Sequence, residues 1–311
     1  MSGTLLQLSG VIVDLIYWIE AMPKAGDEAV VDDFAIMPGG GFNAMFAARQ
    51  AGMKVVYGGA IGEGPLAEIV RKRLEDEAIT VLQSPIDGLD QGCSTVLVDH
   101  SGERSFIARE GADGEMALKS LESLTDEPFA WTLLSGYALD YAGSRDAFRL
   151  WMTGKKPPAE VVFDPSPVVA AIMPQILKVA LAFATWISAN QREAAFLTGE
   201  IDPVRAAEQL ALGRPGGALV RSGADGCVLA SAGRVFQLPG YPVASIDTNG
   251  AGDTHIGSFI AAMAKGADPV EAARYANIAA ALSTMSRGSA TAPASSDVQP
   301  IIKKKQVVRA E

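Results

Sequence analysis

The chain has 311 residues, 49% hydrophobic and 20% charged, the composition of a globular protein able to bury a large core. Its formal net charge of −10 excludes a broad basic surface of the kind that binds nucleic acid. No apolar run reaches the roughly 18 residues needed to cross a bilayer, so no membrane partner is expected.

Met1 to Asp14 carries no basic residue ahead of its apolar stretch, so it reads as a strand over Leu5 to Val13, closed by Asp14, and not as a signal peptide. Glu28 to Met37 is β-like. Asn43 to Ala51 reads as a helix and Lys54 to Tyr57 as a strand. Leu66 to Glu77 is an amphipathic helix with Leu66, Ile69, Val70 and Leu74 on one face. Ser94 to Arg109 is β-like on both sides of a turn at His100 to Glu103, which makes a hairpin. Trp131 to Leu134, Val161 to Phe163 and Thr185 to Ile187 are short strands with helices between them. Ala218 to Arg221 and Cys227 to Ala230 flank a turn at Gly223 to Gly226, and Tyr241 to Ile246 is a further strand. A helix follows with Ile256, Phe259, Ile260 and Met263 at apolar spacing. Ser286 to Val298 is small and polar, a loop leading to a C-terminal segment, and Lys303 to Lys305 is a solvated basic tail.

This alternation predicts an α/β fold: one body over residues 1–311, a central, mostly parallel sheet with helices on both faces. Residues 28–37 and 94–109 break the alternation and are assigned to a small β lid over the C-terminal edge of the sheet, although an edge extension of that sheet would leave the same trace. Cys93 and Cys227 are far apart, and His100 and His255 are the only histidines, which disfavours a Cys/His metal site and fits a reduced cytoplasmic compartment.

The stretch Asp247-Thr248-Asn249-Gly250-Ala251-Gly252-Asp253 lies between a strand-like run and a helix. Glycines there let the backbone approach a ligand, and free N–H groups at a helix start favour phosphate. Asp253 falls in the first helical turn. It is either a residue that satisfies the helix dipole or a base that takes the proton of an attacking hydroxyl.

The whole heptad, with Thr254-His255 after it, resembles the C-terminal signature of the ribokinase-like (PfkB) carbohydrate kinases, and the likeness runs from Asp14 to the region of Asn277. The resemblance implies a ribokinase-like fold and an ATP-dependent sugar or sugar-acid kinase, with Mg²⁺ and a candidate K⁺ as cofactors. Asp253 would be the general base, and the amides of Gly250, Ala251 and Gly252 the anion hole. Asp247 and Thr248 would help hold the monovalent cation. Asn190 and Glu193, in Asn190-Gln191-Arg192-Glu193, resemble the family motif that orients Mg²⁺ through water; the same pair is also a common helix cap. Arg221, Gly223 and Gly226 resemble the nucleotide loop, with an ordinary hairpin turn as the competitor. Asn277 would contact adenine, or sit in a packing helix.

On the acceptor side, Asp14 would bind two hydroxyls, or merely end a strand. Pro38 to Ala44 resembles the N-terminal glycine signature, with Gly40, Gly41 and Asn43 facing the substrate. It departs from the family pattern in placing Gly39 and Gly40 one residue too close to Asn43. Gly62-Glu63-Gly64 departs too, from the Gly-Asp-Asp of many relatives. Arg104 and Phe106 could face the acceptor from the hairpin, or serve as strand packing and a solvated face. The remaining alternatives are a nucleoside kinase of the same fold, with Tyr17, Trp18 or Phe106 stacking on a base, and a non-catalytic sugar-binding protein. The exposed face of a small lid also implies a homodimer through that lid.

Overall fold

The structure, a computed structural model, describes residues 3–100, 103–124, 129–154 and 159–307. Its first seven strands are β1 (Thr4–Gln7), β2 (Val11–Ile19), β3 (Val31–Gly40), β4 (Lys54–Tyr57), β5 (Thr80–Val81), β6 (Cys93–Val98) and β7 (Arg104–Arg109). Six more follow: β8 (Trp131–Ser135), β9 (Glu160–Asp164), β10 (Trp186–Asn190), β11 (Gly217–Arg221), β12 (Gly226–Ser231) and β13 (Arg234–Pro239).

Nine strands form the main sheet, in the order β13-β12-β11-β10-β9-β8-β1-β4-β5. Every pairing from β11 to β5 is parallel, and β12 and β13 close one edge antiparallel. Alternate residues of these strands feed two separate cores. Leu5, Leu133, Val162, Trp186 and Leu219 pack with Met45, Phe259 and Tyr275 on one side. Leu6, Leu134, Phe163, Ile187 and Val220 pack with Phe148, Trp151 and Ile176 on the other. A strand period of two thus places helices on both faces, which is why its strands are nearly continuous apolar runs.

The second sheet has the order β3-β2-β6-β7, with β2 parallel to β6 and the outer pairs antiparallel. Here the first strand read from sequence divides. Leu5 to Val13 is broken at 8–10, so that β1 joins the main sheet while β2 runs on to Ile19 in the lid sheet, with Asp14 inside it. The break is a backbone crossing: Gly41 N–H donates to Gly10 O at 2.9 Å, and a Cβ on Gly41 would stand 2.9 Å from Ser9 O. Only glycines let two chain segments pass that closely.

Two other elements differ from the sequence reading. Tyr241 to Ile246 forms no strand and joins no sheet, Pro242 lacking the N–H a ladder needs, while the edge strand falls earlier, at β13. The polar stretch after Ser286 becomes a helix, Ser295–Val307, before Val298 is reached. The turn residues 101–102 and the side chains of 304–305 lie outside the described residues. Among the described residues no helix is long and apolar enough to cross a membrane.

Helix Ala251–Ala264 crosses helix Gly41–Gln50 at Gly257, where a Cβ would meet Ala44 O at 2.2 Å. Gly257→Ala must therefore push the two helices apart. Urea denaturation should show a loss of about 1–3 kcal/mol, and turnover should fall with it, because Asn43 and Asp253 sit beside this crossing.

Candidate active site

Helix Ala251–Ala264 starts at Gly250, whose φ of +70° is the left-handed conformation that glycine adopts without strain. Ala251 N–H is tied to Thr248 O at 3.3 Å. Among the described residues no protein acceptor faces the N–H groups of Gly250, Gly252 and Asp253, which leaves these three amides able to meet an anion. Asp253 sits beside them and accepts from Asn43 Nδ2 at 3.3 Å. Asn43 is itself held, its Oδ1 accepting from Ala290 N–H at 3.0 Å.

Burial raises the Asp253 carboxyl to about 7, helped by the charge of Asp164 and, less, of Asp14; the Asn43 hydrogen bond and Arg221 oppose the rise. A value near neutrality suits a group that must accept a proton and release it again.

A cavity of about 370 Å³ opens at the carboxyl ends of β1, β8 and β9, where open α/β sheets bind ligands. Asp14, Gly40, Gly41, Asn43, Phe106 and Asp253 all line it. Asp14, buried on the lid sheet, is raised to about 7 by that burial. Gly39 is needed beneath it, since a Cβ there would lie 2.0 Å from Asp14 Oδ2. Phe106 comes from β7 and is largely exposed.

The cavity also takes in residues the sequence reading did not single out: Ser94, Tyr137, Tyr141, Asn249 and, above all, Asp164. Asp164 ends the parallel strand β9, and that position alone was a readable signal. Arg221 joins Asp164 to Glu193, at 3.7 Å and 3.6 Å, and donates to Ser188 Oγ at 2.6 Å. A Cβ on Gly252 would be 3.7 Å from Arg221 Nε, so this guanidinium borders the anion site.

Asn190 and Glu193 form a reciprocal cap: Glu193 N–H donates to Asn190 Oδ1 at 2.9 Å, and both Glu193 oxygens accept from Asn190. Burial, and then the charge of Asp164, raises the Glu193 carboxyl above its usual range. Both Glu193 oxygens are thus engaged, and Oε2 also faces Arg221. Gly223 and Gly226 shape the turn between β11 and β12 with φ of +59° and +98°. Asn277 is buried, its Nδ2 donating to Leu238 O at 3.1 Å and Pro239 O at 3.2 Å. Its Oδ1 therefore accepts from His255 Nε2 at 3.0 Å, and burial keeps that imidazole neutral. The structure spends this amide on tethering helix Pro269–Ser283 to β13.

Asp247 and Arg104 are placed together and away from the acceptor. Arg104 does not line the cavity; its guanidinium donates to Asp247 Oδ1, which also accepts from Asn249 N–H at 2.8 Å, while Oδ2 accepts from Gly288 N–H at 3.0 Å. Arg104 Nη1 reaches Thr248 Oγ1 at 3.5 Å.

Comparison with known proteins supplies the family and the fold. The pfkB family carbohydrate kinase profile matches residues 9–296. The chain belongs to that family. Its members are ATP-dependent sugar phosphotransferases, and this one is an enzyme of that type. The ribokinase of Bacillus subtilis (strain 168) is 26% identical over 288 residues, which cover 89% of this chain and 91% of that protein. A fructokinase of Klebsiella pneumoniae is 30% identical over 322 residues, covering 96% and 99%. The crystal structure of ribokinase from Thermotoga maritima superposes with a TM-score of 0.82 at 23% identity, covering 97% of this chain and 100% of that one, which establishes the fold.

The raised carboxyls have a consequence for stability. The folded chain holds protons on Asp14 and Asp253 that the unfolded chain, at about 3.8, releases, so stability should fall as pH rises from about 4 through about 7. Asp253→Asn removes part of that penalty. Thermal unfolding should show it melting several degrees above the parent at pH 8, with the difference gone near pH 4.

Proposed function

We propose that the protein transfers the γ-phosphoryl of ATP to a hydroxyl of an uncharged, monosaccharide-sized polyol, with Asp253 as general base. The observation that carries this reading is the lining of the acceptor cavity. Asp14, Asp164 and Asp253 face it, and among the described residues no Lys, Arg or His does. Such a wall repels a carboxylate or phosphate on the acceptor and offers hydroxyls several acceptors, Asp14 foremost. A volume of about 370 Å³ lies at the small end of ligand sites and suits one sugar ring. The relatives named ribokinase and fructokinase are not carried over to the identity of the acceptor, since they differ from each other in it.

In the proposed step the acceptor hydroxyl gives its proton to an Asp253 oxygen, and its oxygen bonds to the γ-phosphorus as the bond to the β-phosphate oxygen breaks. The released electron pair leaves with ADP. The Gly252 and Asp253 amides and Arg221 meet the charge on the transferring group, and positioning supplies much of the rate. Gly223 and Gly226 give the nucleotide room beside Arg221. Asp164 and Glu193 are oxygen donors suited to hold the waters of Mg²⁺, which would offset phosphate charge when bound with ATP. The unpaired Cys93 and Cys227 suit a reducing cytoplasm.

A nucleoside acceptor is the second reading, favoured by the rings of Phe106, Tyr137 and Tyr141 on the cavity wall. A thermal-shift and turnover panel with an ATP analogue and ATP decides between them. Neutral sugars should stabilise and turn over. A preference for sugar acids would refute the electrostatic argument, and a preference for nucleosides would select the second reading. With the best acceptor, Asp253→Asn should lose about 10²–10⁴-fold in kcat while still binding ATP; near-parental turnover would remove Asp253 as the base.

We also infer a homodimer through the lid. Its outer face presents the cross-strand row Ile36, Leu15, Thr95 and Ile107, beside Phe34 and Tyr17, with Phe34, Ile36 and Ile107 exposed. A second copy of the same face would cover it by two-fold symmetry. Light scattering at micromolar concentration should give twice the chain mass, and Ile107→Glu should halve it.

A further inference from the structure

The Asp247 carboxylate, where the family resemblance calls for a monovalent cation, already has a cation. The Arg104 guanidinium and Asn249 N–H share one oxygen, and Gly288 N–H holds the other. Both partners are largely withdrawn from water, with side chains 18% and 6% exposed. Removing either would leave the other a poorly solvated charge, so the contact differs in kind from a surface ion pair. A metal ion at this carboxylate would have to displace the guanidinium and sit beside it. The residues present do not fit one.

The bonds made here lead to the reacting centre. Gly288, which holds Asp247, is two residues from Ala290, whose N–H holds Asn43 Oδ1 at 3.0 Å. Asn43 Nδ2 in turn donates to Asp253 at 3.3 Å. Between them Ser289 Oγ donates to Pro38 O at 3.2 Å, which ties the same loop to the base of β3. On its other side Asp247 caps Asn249, the residue before Gly250. Arg104 therefore stands at one end of a continuous run of polar contacts that reaches both the glycine turn and the base.

Its position in the lid adds a second coupling. Residues Arg104, Phe106 and Ala108 alternate along one face of β7, and Phe106 and Ala108 line the acceptor cavity. The strand that covers the acceptor thus also carries the charge that orders the phosphate loop.

We propose that Arg104 is a lid-borne positioning residue that takes the place of a bound monovalent cation, docking on Asp247 to order the glycine turn, Asn43 and Asp253 when the lid is closed. It touches no substrate. The proposal rests on the kinase reading above, but one arm of its test does not need turnover.

The first arm compares the unaltered protein in K⁺, Na⁺ and tetramethylammonium chloride at equal ionic strength, by thermal shift and, with the best acceptor, by turnover. Both should be indifferent to the cation. Stabilisation or activation specific to K⁺ would overturn the proposal. The second arm measures Arg104→Ala, Arg104→Gln and Arg104→Lys. Arg104→Ala and Arg104→Gln should lose roughly 10²-fold in kcat, the scale of an ångström of misplacement, with KM for acceptor and ATP within about threefold of the parent. Millimolar guanidinium should restore part of the activity of Arg104→Ala, and Arg104→Lys should retain an intermediate rate. A rise in acceptor KM with kcat kept would make Arg104 a substrate ligand, and an unchanged kcat would make the pair structural; either sinks the proposal. If no acceptor turns over with the unaltered protein, the kinase reading has failed, while the cation-specific thermal shift still decides the charge replacement.

Discussion

A helix N-terminus concentrates positive potential within one turn, and here that turn must serve two anions. In the proposed reaction it would receive the transferring phosphoryl on its unpartnered N–H groups, and it carries a carboxylate of its own. Two negative groups so close would repel each other in the ground state. The fold answers by burying the Asp253 carboxyl until it holds its proton near neutrality, and by setting Arg221 across the Asp164 and Glu193 carboxylates next to the same turn. Phosphate can then settle beside a base that is only partly ionised. What makes the arrangement reactive is the acceptor hydroxyl, which offers that base a proton exchange.

This demand explains the packing around the turn. Asn43 must be within reach of Asp253, and that requires helices Gly41–Gln50 and Ala251–Ala264 to cross with backbone against backbone at Gly257. The loop through Gly288 and Ala290 then fixes Asn43 from behind. A site that depends on one weakly charged carboxyl tolerates little positional freedom, and the local hydrogen bonds leave Asn43 little.

The lid solves a different problem. An open sheet edge binds ligands in a crevice exposed to water, which weakens every charge interaction there. Four strands stand over the crevice, and the inner face of β7 brings Arg104 to Asp247 at the start of the glycine turn. On the proposal above, covering the acceptor and ordering the catalytic turn would be one motion. The cost is an apolar outer face on which Phe34, Ile36 and Ile107 are exposed.

Much of this was legible in residue order. Alternating strand and helix patterns, apolar runs buried on both faces, and the heptad from Asp247 to Asp253 are local signals, and local backbone chemistry specifies them: glycine conformations, helix starts, strand periodicity. Where reading failed, the deciding partner was distant. Leu5 to Val13 looks like one strand because nothing local shows that Gly41 will bond Gly10 and divide it between two sheets. Asp164 carries no motif; its place at the end of β9 was readable, but its pairing with Arg221, 57 residues on, was not. Asn277 read as an adenine contact or a packing residue, and Arg104 as an acceptor contact or strand packing; the fold gives one to Leu238, Pro239 and His255 and brings the other to Asp247, across 143 residues. Sequence by itself determined most of the elements and the glycine turn at a helix start, since those depend on neighbours along the chain. Tertiary structure decided which charges meet, because that depends on which buried groups are left without water and must find each other.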